Sequence, residues 1–116
     1  MKKTHPYHHR ISAEFDVNLR YRGRCFALCH AKYLTAQGMY VETSKLHLPH
    51  GTALEIEFHR WGREWRIPAR VSGCTLQGIS LQFDHAQPDL YHHVSLALRF
   101  GSQASPGNAP SSPAGC

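Results

Sequence analysis

Tyr33-Leu34-Thr35-Ala36-Gln37-Gly38-Met39-Tyr40-Val41 places a hydroxyl residue three positions before a glycine and then returns at once to β-prone residues. That order predicts a strand, a tight turn that needs glycine, and a second strand. Upstream, Arg10 closes a polar arm that also carries Lys2, Lys3, His5, His8 and His9. A guanidinium grips phosphates and carboxylates through paired hydrogen bonds, and a turn hydroxyl adds a further polar contact. Arg10 with the Thr35–Gly38 turn is therefore the constellation that points most directly to an anionic ligand.

Other chemistries are poorly supplied. His5, His8 and His9 offer imidazoles, and Cys25, Cys29 and His30 offer a mixed set. Zinc sites, however, use short turn-held spacings such as Cys-x2-4-Cys. Here the cysteines fall in a β-prone run, with His30 facing the other way from Cys29. Two residues four apart on one strand are about 13 Å apart, too far to bridge to each other. With Cys74 and Cys116 they form neither a CxxC pair nor a disulfide framework. Thr35, Ser44, Ser72 and Ser80 lack a nucleophile-elbow context, and no phosphate-cradling GxxxxGK[ST] loop is present. Enzymatic activity, a metal and a cofactor are accordingly not expected.

Basic and aromatic residues interleave at two places. Arg20, Arg22 and Arg24 surround one turn; Arg60, Arg63, Arg66 and Arg70 surround another with Trp61 and Trp65. Small barrels bind single-stranded nucleic acid with such groups. The period-two pattern instead predicts Trp65 on an inward face, so nucleic-acid binding is the less favoured reading.

The elements that must position these residues are short strands. Phe15, Val17, Leu19 and Tyr21 alternate with Asp16, Asn18, Arg20 and Arg22, which predicts a half-buried strand. Arg22-Gly23-Arg24 turns the chain, and Cys25 to Leu34 returns. Met39 to Thr43, Thr52 to Phe58, Glu64 to Val71 and Leu76 to Phe83 repeat the alternation, separated by glycine- and proline-bearing turns. Short strands at regular spacing, with no helix between them, predict an all-β barrel or sandwich. A short helix follows, with Asp84 to Pro88 as its start and Leu90, Val94 and Leu98 at helical spacing. Residues 101–116 are Gly, Ser, Pro, Ala and Gln-rich without charge and are expected to form a disordered tail.

At 116 residues the chain has room for one domain, residues 11–100, preceded by a basic arm at 1–10. Its formal charge of +5 favours anionic partners. No apolar run approaches the roughly 18 residues of a membrane span. The basic N-terminus lacks the apolar segment of a secretory signal, so a cytoplasmic location is expected.

The order of pieces resembles the PilZ domain family over about residues 5 to 100. The resemblance rests on His9-Arg10-Ile11, a hairpin, the Leu34–Val41 stretch, Leu48-Pro49-His50-Gly51-Thr52 before a strand, Ala69-Arg70-Val71, and Gly78-Ile79-Ser80-Leu81-Gln82-Phe83. It implies a six-stranded antiparallel β-barrel with a C-terminal helix. It also implies a receptor for cyclic di-GMP, a bacterial second messenger tied to motility and biofilm control. The family binds that nucleotide through RxxxR at the start of the domain and [D/N]xSxxG across a strand turn. Arg10 falls on the second arginine, with Pro6 in place of the first. Tyr33 falls on the Asp/Asn position, Thr35 on the serine and Gly38 on the glycine. The resemblance thus implies a ligand site of Arg10, Tyr33, Thr35 and Gly38, with His8 and His9 as added anion contacts. Because two motif positions differ, it implies equally an adaptor that binds a protein partner, as in type IV pilus control, without nucleotide.

Overall fold

The computed structural model describes residues 9–43 and 46–99. Six strands, β1 (Ile11–Tyr21), β2 (Arg24–Leu34), β3 (Gly38–Glu42), β4 (Ala53–Arg60), β5 (Arg63–Cys74) and β6 (Gly78–Phe83), precede one helix, α1 (Pro88–Arg99). They close into an antiparallel barrel in the order β1-β2-β3-β6-β5-β4, with β4 returning to β1. The all-β barrel with a C-terminal helix is as the sequence predicts. His8 and the tail at 101–116 lie outside the described residues.

Two hairpins fix the registers locally. Arg22 and Gly23 have φ of 53° and 80°, and Trp61 and Gly62 have φ of 55° and 73°. Two successive left-handed residues make the turn whose twist matches that of paired strands. Tyr21 consequently faces Arg24, and Arg60 faces Arg63. The period-two pattern then fills the interior: Val17, Leu19, Leu34, Val41, Ile56, Ile67, Val71 and Ile79 are buried inside the barrel. Leu90 and Val94 of α1 join the same cluster. Burying each such side chain contributes roughly 1.5–3 kcal/mol.

Two expectations shift and one sharpens. Tyr21, read as inward, is 44% exposed, because the strand ends at the hairpin outside the barrel wall. Leu76, read as the start of a strand, sits in the β5–β6 turn and is 91% exposed. The helix start, predicted within Asp84 to Pro88, narrows to Pro88. Residues 84–87 instead bond the barrel, Asp84 N–H to the Pro68 carbonyl and Gln87 N–H to the Ala36 carbonyl. Proline at the first helical position loses nothing, since its missing N–H would have no partner there.

β2–β3 and β5–β6 repeat each other. Ala31 pairs with Val41 and Tyr33 with Tyr40, with Lys32 in a register shift between them. Val71 pairs with Leu81 and Gly73 with Ser80, with Ser72 in the equivalent shift. The turns match as well. Thr35 N–H donates to the Gly38 carbonyl and Thr75 N–H to the Gly78 carbonyl. Each threonine hydroxyl accepts from the two N–H groups that follow, Gln37 and Gly38 in one turn and Gln77 and Gly78 in the other. The repeated Thr-x-Gln-Gly, at 35–38 and 75–78, is the sequence mark of this symmetry.

Candidate ligand-binding groove

The repeat is broken on the outer face, and the break makes the site. Across the barrel wall, Tyr33 of β2 neighbours Tyr40 of β3, Tyr40 neighbours Ser80 of β6, and Ser80 neighbours Gly73 of β5. The row runs large, large, small, small. Where one half of the repeat raises two phenol rings, the other leaves a low floor. The step opens a groove of about 630 Å³, with Tyr33 and Tyr40 against Ser72, Ser80 and Gln82.

Four residues predicted from the sequence, Arg10, Tyr33, Thr35 and Gly38, line this one groove. The Arg10 guanidinium lies 4.3 Å from the centre of the Tyr33 ring. Such a contact contributes about 0.5–1 kcal/mol at an exposed site and holds the cation in place without neutralising it. The Tyr33 and Tyr40 rings are tilted by 33° with centres 6.2 Å apart, an aromatic pair lining one side of the groove. Tyr40 is held at its far end, where its hydroxyl meets the Thr75 hydroxyl at 3.4 Å.

Thr35 is committed to its turn as an acceptor from Gln37 and Gly38, at 3.0 and 3.2 Å. Its own hydroxyl proton remains able to donate to a ligand. The turn is braced from behind: Phe83 N–H donates to the Gln37 carbonyl, and Gln87 N–H to the Ala36 carbonyl. Gly38 serves by closeness, because a Cβ there would stand 2.4 Å from the Leu81 carbonyl oxygen. His9 is exposed and is not among the lining residues; its carbonyl accepts from the Tyr91 hydroxyl at 3.0 Å, tying the arm to α1. Ser72, Ser80, Tyr40, Gln37 and Gln82 are lining residues that the motif reading missed. The Tyr-Tyr-Ser-Gly row exists only once four strands are paired.

The basic–aromatic hairpin is built differently from a stacking platform. Trp65 is buried, and the half-buried Trp61 stacks on His93 of α1 at 5.0 Å, so much of their ring surface is covered within the fold. His93 is thereby part of the packing between α1 and the β4–β5 turn. Among the described residues, no three His, Cys, Asp or Glu side chains converge as a metal site, and no helix is long and apolar enough to cross a membrane. Cys29 and Cys74 are free thiols, and burial pushes that of Cys29 up.

No protein-family profile and no curated protein sequence matches this chain. Solved structures do. The PilZ domain of CeSA from a cellulose-synthesising bacterium superposes with a TM-score of 0.60 at 22% identity, covering 79% of this chain and 95% of that one. PlzA of Borreliella burgdorferi, solved in complex with c-di-GMP, gives 0.56 at 16% identity, covering 76% of this chain and 38% of that one. MrkH of K. pneumonia in its apo state gives 0.54 at 20% identity, over 84% and 51%. The chain therefore has the PilZ fold, at identities that establish the fold alone.

Proposed function

We propose that this PilZ-fold chain is a non-enzymatic bacterial signalling module whose groove at Arg10 and Tyr33 is an altered, weakened cyclic di-GMP site. One observation carries the reading: Arg10, distant in sequence from the Tyr33–Gly38 stretch, lines a single groove with Tyr33, Thr35 and Gly38. The bound nucleotide of PlzA, on the same fold, supports the choice of ligand. Arg10 supplies the fork for a phosphate or a guanine edge. Tyr33 and Tyr40 supply ring surface for a base, and the Thr35 hydroxyl supplies a donor.

The site is weakened because Pro6 and Tyr33 occupy the positions of an arginine and an Asp or Asn in the family pattern. Each charge-assisted hydrogen bond contributes about 1.5–3 kcal/mol, so two losses lower affinity by orders of magnitude. That same deficit supports the second reading, an adaptor acting on a protein partner without nucleotide.

Calorimetric titration with cyclic di-GMP tests the proposal, run on the native chain and on Arg10→Ala. Weak saturable heat that disappears in Arg10→Ala is the expected result. Absence of heat at high micromolar nucleotide overturns the receptor reading and favours the adaptor. Heat unchanged in Arg10→Ala overturns the placement of the site.

A further inference from the structure

β3 reaches β2 only between Leu34 and His30, ending where His30 faces Glu42. Beyond that point Ala27 and Leu28 pair with Leu19 and Asn18 of β1 on one side. Among the described residues, no backbone hydrogen bond meets them on the other. A strand edge of this kind, inside an otherwise closed barrel, is what strand addition by a peptide uses.

The side chains beside the edge are apolar and uncovered. Leu28 is 67% exposed and Leu76 is 91% exposed, and both line a groove of about 590 Å³ that is separate from the one at Arg10. Two such leucines flanking one groove form a patch, unlike a lone surface leucine, which needs no explanation.

The groove also presents carboxylates. Asp16 and Glu42 line it together with His30, the two acidic side chains 69% and 45% exposed. Asp16 meets His30 Nδ1 at 3.1 Å and Glu42 meets Lys32 Nζ at 3.8 Å, each through one carboxylate oxygen.

We propose that this groove takes an extended segment of a partner protein, added as a strand along β2 at Ala27 and Leu28. An apolar side chain of the segment seats between Leu28 and Leu76, and a lysine or arginine meets Asp16 and Glu42. Side chains on one face of a strand recur at every second residue, so the recognised pattern alternates apolar and basic positions. An acidic segment is repelled by the same carboxylates. A second copy is a poorer occupant: antiparallel pairing of two β2 edges about Ala27 sets Arg24 of one against His30 of the other. This groove shares no lining residue with the one at Arg10 and takes its segment whether or not nucleotide binds there.

The test is a fluorescence-anisotropy titration of the full chain with a labelled probe peptide alternating leucine and lysine, beside one alternating leucine and glutamate. The lysine probe is expected to bind at least about tenfold more tightly than the glutamate probe. Leu28→Ser and Leu76→Ser, both surface changes, are each expected to weaken it at least about tenfold with unchanged circular dichroism. Asp16→Asn narrows the gap between the probes, and Arg10→Ala leaves both titrations as they were. Equal binding of the two probes, absence of saturation, or indifference to Leu76→Ser overturns the proposal. Self-association abolished by Leu28→Ser puts a second copy in the groove and overturns it too.

Discussion

Gly38 and Gly78 hold equivalent places at opposite ends of the β3–β6 ladder, Gly38 facing Gln82 and Gly78 facing Glu42. A Cβ on Gly38 would meet the Leu81 carbonyl oxygen at 2.4 Å, and one on Gly78 would meet that of Val41 at 2.3 Å. Both obstacles are backbone, which cannot rotate away. Gly38→Ala is therefore expected to destabilise the fold by about 1–3 kcal/mol, the usual cost of overpacking. Urea unfolding measures this, and a loss below a few tenths of a kcal/mol would contradict the close approach.

Restoring the broken half of the repeat gives a sharper probe of the groove. In the opposite half, the Tyr40 ring lies against Gly78, whose Cβ would fall within 2.7 Å of that ring. Ser80→Tyr places an equivalent phenol over the Thr35–Gly38 turn and fills the floor beside it. The fold is expected to survive, since position 80 lies on the outer face. Cyclic di-GMP heat, if present in the native chain, is expected to vanish. A variant that still binds would show that ligand does not use this floor.

Tyr91 links the helix to the arm that carries Arg10. Its hydroxyl donates to the His9 carbonyl at 3.0 Å. Tyr91→Phe removes that bond and keeps the ring in place, costing about 0.5–1.5 kcal/mol. Looser anchoring of the arm is expected to cost ligand affinity as well as melting temperature. Differential scanning calorimetry and the same nucleotide titration separate the two effects.

His30 makes part of the stability depend on pH. Its ring meets Glu14 at 2.8 Å through Nε2 and Asp16 at 3.1 Å through Nδ1. The Glu14 hydrogen bond raises the His30 pKa above 6.5 against the opposing effect of burial, and the Asp16 contact adds to the rise. The His30 hydrogen bond is also the main cause holding the Glu14 carboxyl below 4.5. For His30, folded above unfolded, the contribution is complete below 6.5 and is lost as pH rises through the raised value. For Glu14, folded below unfolded, the contribution is complete above 4.5 and fades as pH falls through the lowered value. Solvent screens these half-exposed groups, so the pair is worth under about 1 kcal/mol. His30→Gln is expected to flatten the decline in melting temperature above pH 6.5, and an unchanged slope would show that the ring does not carry it.

Most of the barrel was legible because its strands alternate strictly and its turns carry glycine where the left-handed region is needed, as at Gly23 and Gly62. The register shifts at Lys32 and Ser72 were not. A shift by one residue changes which parity faces inward: Cys29 and Ala31 are buried before it, Leu34 and Ala36 after it. Counting by twos cannot place such a step. The groove was half legible. Arg10 and the Thr35–Gly38 turn are marked by residue type, whereas Ser72 and Ser80 are small residues whose importance lies in being next to Tyr40. His93 escaped for the same reason, since nothing local to α1 announces its stack on Trp61.

The seam where β4 returns to β1 is narrow: Asn18, Leu19 and Arg20 face Glu57, Ile56 and Glu55. Arg20 clasps it, with Nη1 3.2 Å from Glu57 and Nε 4.0 Å from Glu55. The two tight hairpins that flank this seam can form from near neighbours in the chain, whereas the seam must wait for distant segments to meet. Arg20 thus fastens one of the barrel's two long-range stitches, the other being β3–β6, and amide protons along it are expected to exchange early with solvent as the barrel breathes.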